Sequence, residues 1–214
     1  MAVNEIKTKE IISEIKPATL VAATKYANIE DLYELEKNGV EIFGENQVQA
    51  LIEKYNTYKG NARFHMIGTL QTNKVKYIID KVDLIHSVAN FRLIDEINKQ
   101  AKKKNLVMNI LIQINIAKEE SKHGFMEEEL DSVFEYLKDK ANINPVGFML
   151  MAPNVEASDT EIYFEKANIL LNTYKNKYKE YDLNHLSMGM SNDYKYAIKH
   201  NATYIRVGTL LFNW

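Results

Sequence analysis

The sequence contains no cysteine. Disulfides, thiolate metal sites and cysteine nucleophiles are therefore excluded. Prolines number only three, and no linker, repeat or low-complexity stretch divides the 214 residues, so one domain spanning 1–214 is expected. No apolar run reaches membrane-spanning length. Met1 to Pro17 is charged and amphipathic and lacks the apolar core of a signal peptide, which points to a cytoplasmic protein. An excess of charge of one sign is also missing. Lysine plus arginine total 27 against 29 aspartate plus glutamate, a net charge of −2. A nucleic-acid binder that relies on phosphate neutralisation would be more basic. The basic run Lys99–Lys104 reads as the solvated end of a helix, where lysine complements the macrodipole. The five histidines show no metal-ligand spacing, and no metal is expected.

What is present is an alternation. Short apolar runs occur at Leu20–Thr24, Val40–Phe43, Phe64–Ile67, Leu84–Val88, Ile110–Asn115, Val146–Met151, His185–Met188 and Tyr204–Val207. They lack in/out alternation, as strands buried on both faces do. Helical patterns lie between them. Asn28 can cap a helix carrying Leu32 and Leu35 and ended by Gly39. Apolar stripes follow at Val48, Leu51, Ile52 and Tyr55, at Val75, Ile78, Ile79 and Val82, at Leu93, Ile94 and Ile97, and at Leu130, Val133, Phe134 and Leu137. Ser158 with Glu161 reads as a capping box ahead of Ile162, Ala167, Leu170 and Leu171. Tyr194, Ala197 and Ile198 mark a short seventh helix. Repeated strand–helix alternation means a parallel sheet, and eight strands favour closure as a (β/α)8 TIM barrel. An additional N-terminal helix at about Glu5–Ile15 is placed to cover the seam after the eighth strand.

Active sites in such barrels lie at the C-terminal ends of the strands. Lys25 ends the first run. Gly44, Glu45 and Asn46 follow the second, and Gly68, Gln71 and Asn73 the third. Ser187 and Ser191 flank the end of the seventh. Arg206, Gly208 and Thr209 lie on or after the eighth. Closure brings Lys25, Asn46 and Arg206 together. Lys25 then has two readings: it snorkels to solvent, or its neutral amine attacks an aldehyde. The loops SMGMSND and RVGT offer backbone N–H groups and hydroxyls suited to a phosphate, and equally to ordinary turns. Arg206, one of three arginines, needs an acceptor or an acidic partner; a pyridine nitrogen or a structural salt bridge would serve. His65 and His185 lie within strands and read as core residues. No tyrosine is marked by spacing as a catalytic base.

Taken together, LVAATKY ending at Tyr26, IFGENQVQ at 42–49, FHMIGTLQTNK at 64–74, IHSV at 85–88, LIQINIAKEESKHGF at 111–125, GFMLMAP at 147–153, LSMGMSNDY at 186–194 and YIRVGTLLF at 204–212 resemble the pyridoxal phosphate homeostasis protein family. These are small relatives of the alanine racemase barrel. The resemblance implies a fold-type III barrel that carries pyridoxal 5′-phosphate (PLP) as an aldimine covalently bound to Lys25. It implies Arg206 at the pyridine nitrogen, Ser191, Gly208 and Thr209 at the phosphate, and Asn46, Asn73 and Met188 near the cofactor. It implies a monomer that binds and buffers PLP, hands it to apo PLP-dependent enzymes and keeps amino-acid and keto-acid pools balanced, with no catalytic residues of its own. The chain departs from relatives at Tyr26, Ala27 and Asn28, where a threonine, a variable residue and a proline are common, and in its LLFNW ending. The alternatives are a PLP-dependent racemase or decarboxylase, a Schiff-base aldolase or sugar-phosphate isomerase, and an inert scaffold. A racemase of this type pairs the lysine with a tyrosine from a second β-rich domain, for which the chain has no room.

Overall fold

The computed structural model describes residues 2–118 and 123–213. Eight parallel strands close into a barrel: β2 (Thr19–Ala23), β3 (Ile42–Glu45), β4 (Arg63–Met66), β5 (Leu84–Val88), β6 (Met108–Ile114), β7 (Ile143–Leu150), β8 (His185–Ser187) and β9 (Tyr204–Val207). Each pairs with the next in the sequence, and β2 pairs with β9 to close the ring. Helices α2 (Ile29–Lys37), α3 (Val48–Thr57), α4 (Val75–Ile78), α5 (Phe91–Lys103), α6 (Leu130–Leu137), α7 (Glu161–Lys177) and α8 (Tyr194–Lys199) fill the crossovers.

The strands bury both faces. Phe43, Phe64, Ile85, Ile112, Phe148 and Leu186 belong to the main core. Val21, Ile42 and Ile67 form a second cluster and Leu84, Leu111 and Met149 a third, both closed by Tyr204. Two apolar layers are why the strand sequences show no alternation.

The helix ends follow the expected capping chemistry where the side chains reach. Asn28 accepts from Asp31 N at 2.8 Å, and Asp31 answers at Asn28 N at 2.9 Å, a reciprocal cap. Asn90 caps α5 through Leu93 N. Lys99 and Lys104 pair with Glu96 and Asp80, so the basic run is indeed a solvated helix end. The Ser158–Glu161 box is not made. Residues Ala157–Thr160 form a 3₁₀ turn, and the Thr160 hydroxyl bonds Ala157 O instead.

The second strand begins two residues later than its apolar run, because Val40 is used to end α2, bonding Leu35 O, and the strand runs on through Glu45. The N-terminal helix α1 (Glu5–Glu14) packs on β2 and on the turn Thr209–Leu211, where the seam was expected. A two-residue antiparallel pair, β1 (Ala2–Val3) with β10 (Phe212–Asn213), pins it there and was not foreseen.

Candidate functional site

The strand ends enclose a cavity of about 490 Å³. That volume suits a small cofactor. Ala23, Asn46, Gly68, Ser87, Gln113, Asn115, His123, Met149, Met190, Ser191, Arg206, Gly208 and Thr209 line it, with four further residues. Of the eight residues nominated from the sequence, Asn46, Ser191, Arg206, Gly208 and Thr209 meet here. Asn73 sits on an exposed 3₁₀ turn, and Met188 is fully buried; neither lines the cavity. Lys25 lies in the turn just after β2, two residues beyond Ala23. Its side chain is exposed, with the ammonium 4.8 Å from the Tyr26 ring centre, and is not part of the lining.

The backbone around Lys25 is anchored from outside the barrel. Glu45, on the helix-facing side of β3, is completely buried. Its Oε1 accepts from the Thr24 hydroxyl at 2.5 Å and pairs with Lys54 Nζ at 2.7 Å. Lys54 also donates to Thr24 O. So α3, β3 and the end of β2 are tied at one point, one residue before Lys25. Gly68 fixes the next edge. A Cβ there would come within 2.2 Å of Asn46 O, so only glycine lets this turn pass so close to the Asn46 backbone.

Arg206 forms the floor. Its Nη1 donates to Ser187 Oγ at 2.5 Å and Nη2 to Leu150 O at 2.9 Å. Burial pushes the guanidinium down to about 10, which still leaves it charged at neutral pH. Among the described residues no carboxylate bonds it, so the structural salt bridge is not what holds it. Among the described residues the lining contains no carboxylate and no tyrosine; Arg206 and the exposed His123 are its titratable groups.

At the rim, the Thr209 hydroxyl donates to Ser191 Oγ at 3.0 Å, joining the loops after β8 and β9. Asp193 Oδ1 accepts from Met190 N at 2.6 Å and tightens the first loop. Gly189, at φ +89°, starts that loop in a conformation other residues rarely adopt.

Sequence reasoning missed several residues. Ser87 Oγ bonds Gly68 O at 2.5 Å, and Gln113 Nε2 bonds His123 O at 3.0 Å. Inside the barrel, His86 bridges His65 and Ser187. Burial lowers His65 to about 3 and holds His86 well below the ordinary histidine range. Their folded values lie below the unfolded ones, so the unfolded state takes up protons first. Stability is then complete above about pH 6.5 and is lost as pH falls. We expect the loss between pH 6.5 and 4.5, above most carboxylate titrations, to approach about 1.4 kcal/mol per pH unit for each such histidine. Urea midpoints measured across that window, in the parent and in His65→Phe, check this. A slope unchanged by the substitution would contradict it.

The alanine racemase N-terminal domain model matches residues 8–213. The pyridoxal phosphate homeostasis protein of Aquifex aeolicus is 42% identical over 197 residues, 91% of this chain and 86% of that protein. The one from Synechocystis is 33% identical over 207 residues, 95% of this chain and 94% of the other. Among solved structures, PipY of Synechococcus elongatus with PLP bound superposes with a TM-score of 0.90 at 28% identity, covering 98% of this chain and 99% of PipY. An alanine racemase of Clostridium difficile shares the fold at a TM-score of 0.75 and 16% identity; this chain spans 56% of its length. The chain therefore belongs to the pyridoxal phosphate homeostasis protein family, within the wider family of the alanine racemase N-terminal domain.

Proposed function

We propose that this protein binds PLP in the barrel-mouth cavity, holds it covalently through the Lys25 amine, and serves to store and buffer it inside the cell. The observation that carries the reading is the buried, charged Arg206 on the cavity floor, whose hydrogen bonds among the described residues go to the neutral Ser187 hydroxyl and Leu150 carbonyl. A guanidinium so placed calls for an acceptor from a ligand, and a pyridine nitrogen is one. Five of the eight residues nominated for the cofactor share the same cavity. When bound, PLP supplies an aldehyde for an amine and a ring that can draw electrons. The residues here do the rest. Ser191, Gly208 and Thr209 offer two hydroxyls and backbone N–H groups to the phosphate, and Asn46 borders the ring. To reach the cofactor, the Lys25 side chain, exposed beside Tyr26, would swing into the cavity from its position two residues beyond Ala23. Arg206 would donate to the ring nitrogen and, being already charged, would oppose protonation there. That weakens the ring as an electron sink. Among the described residues the lining offers no tyrosine or carboxylate as a base, and the relatives are named for homeostasis. Both support a carrier over an enzyme with robust turnover. Loaded carrier would pass PLP to apo PLP-dependent enzymes. The reading is of a monomer, and the lining residues among those described all come from one chain.

The test is spectroscopic. Purified protein mixed with PLP is expected to show an absorbance band near the visible edge that borohydride removes. Protein that stays colourless, with no PLP in its denatured extract, would sink the reading. The phosphate loops can be tested separately. We expect Ser191→Ala with Thr209→Val to weaken PLP binding roughly 10- to 100-fold, the loss of charge-assisted hydrogen bonds. Pyridoxal, which lacks the phosphate, should bind the parent and the double variant alike; an equal loss for both ligands would contradict the assignment.

A further inference from the structure

A line of polar groups runs down the inside of the barrel beneath Arg206. Ser187 Oγ lies 2.8 Å from His86 Nδ1, and His86 Nε2 lies 2.9 Å from His65 Nδ1. The line ends against Tyr204, whose ring meets His65 edge to face at 5.6 Å. Ser187 and His86 are completely buried, and His65 is nearly so.

The direction of every hydrogen bond follows from its first member. A guanidinium can only donate, so Ser187 Oγ accepts from Arg206. Among the described residues the Ser187 proton then has one acceptor within reach, His86 Nδ1. A neutral His86 that accepts at Nδ1 carries its proton on Nε2 and donates it to His65 Nδ1. A neutral His65 then carries its own proton on Nε2. Reversing the middle bond would leave the Ser187 proton buried with no acceptor, at the cost of an unmade hydrogen bond.

We propose that Ser187, His86 and His65 form a one-way, uncharged relay that aims Arg206 into the cavity and sustains its charge without cancelling it. A carboxylate at the place of Ser187 would hold the guanidinium more tightly, but it would neutralise it towards the cavity. A relay of neutral dipoles turns its acceptor ends to Arg206 and leaves the net positive charge facing the ligand. The three are positioning residues; none of them lines the cavity. Their effect on a bound pyridine ring rests on the reading given under Proposed function, whereas the relay itself does not.

Two measurements decide this. The first uses the full-length parent protein without PLP, labelled with nitrogen-15, at neutral pH. Side-chain proton–nitrogen correlations are expected to show His65 and His86 both neutral with the proton on Nε2. His86 with its proton on Nδ1, or either ring doubly protonated, would overturn the relay. The second compares PLP-loaded parent, Ser187→Ala and Ser187→Thr. Ser187→Ala is expected to bind PLP on the order of tenfold more weakly and to move the visible band, with Ser187→Thr restoring both. A purely structural role would lower thermal stability and leave the band in place. An Ser187→Ala variant with parental affinity and band position overturns the positioning role. A parent that binds no PLP overturns the reading beneath it, with the tautomers still deciding the relay.

Discussion

Replacing Lys25 by alanine is expected to abolish the visible band of the PLP-loaded protein and to leave nothing for borohydride to trap. Lys25 stands at the mouth of the cavity, two residues beyond a residue that lines it. Only a primary amine can form the covalent link, so the loss should be complete in the spectrum and at least tenfold in affinity, about 1.4 kcal/mol or more. Lys25→Arg separates chemistry from charge. It keeps a cation beside Tyr26 but cannot condense with an aldehyde, so it should resemble Lys25→Ala in the spectrum. Absorbance titration and equilibrium dialysis with PLP measure both effects. A Lys25→Ala protein with the parental band would place the covalent link elsewhere.

The second large effect is on stability. Glu45 and Lys54 form a buried pair, their side chains 1% and 9% exposed. Among the described residues Glu45 Oε2 has no hydrogen-bond partner, so the carboxylate depends on Lys54 and Thr24 at its other oxygen. Lys54→Met leaves that carboxylate buried and without its cation, which costs about 3–5 kcal/mol. For a chain of this size each kcal/mol lowers Tm by roughly 2–4 °C, so a fall of about 6–20 °C is expected. Removing both charges, as Glu45→Leu with Lys54→Met, should recover most of the loss. Thermal melts of the two single variants and the double variant check this. Single variants that melt with the parent would show that the pair does not hold the β2–β3–α3 junction.

The barrel was legible because eight short apolar runs, each followed by a helical stripe, leave few ways to bury both kinds of surface. That the loops after β8 and β9 meet Arg206 in one cavity was legible because strand ends mark the mouth of such a barrel. What stayed hidden depends on partners far apart in sequence. Glu45 looked like a loop residue because the cation that lets it be buried comes from the next helix. Val40 looked like a strand residue because ending a helix also buries an apolar side chain. Ser158 and Glu161 had the spacing of a cap, but local 3₁₀ geometry took the first turn. His86 sat unnoticed in a strand. Its bond to Ser187 spans 101 residues, and nothing local announces it.

The central claim is that Lys25 carries PLP. Peptide mapping by mass spectrometry, after the loaded protein is reduced with borohydride, tests it most directly. A phosphopyridoxyl group on the peptide containing Lys25 is the expected result. The same group found only on other lysines would contradict the claim.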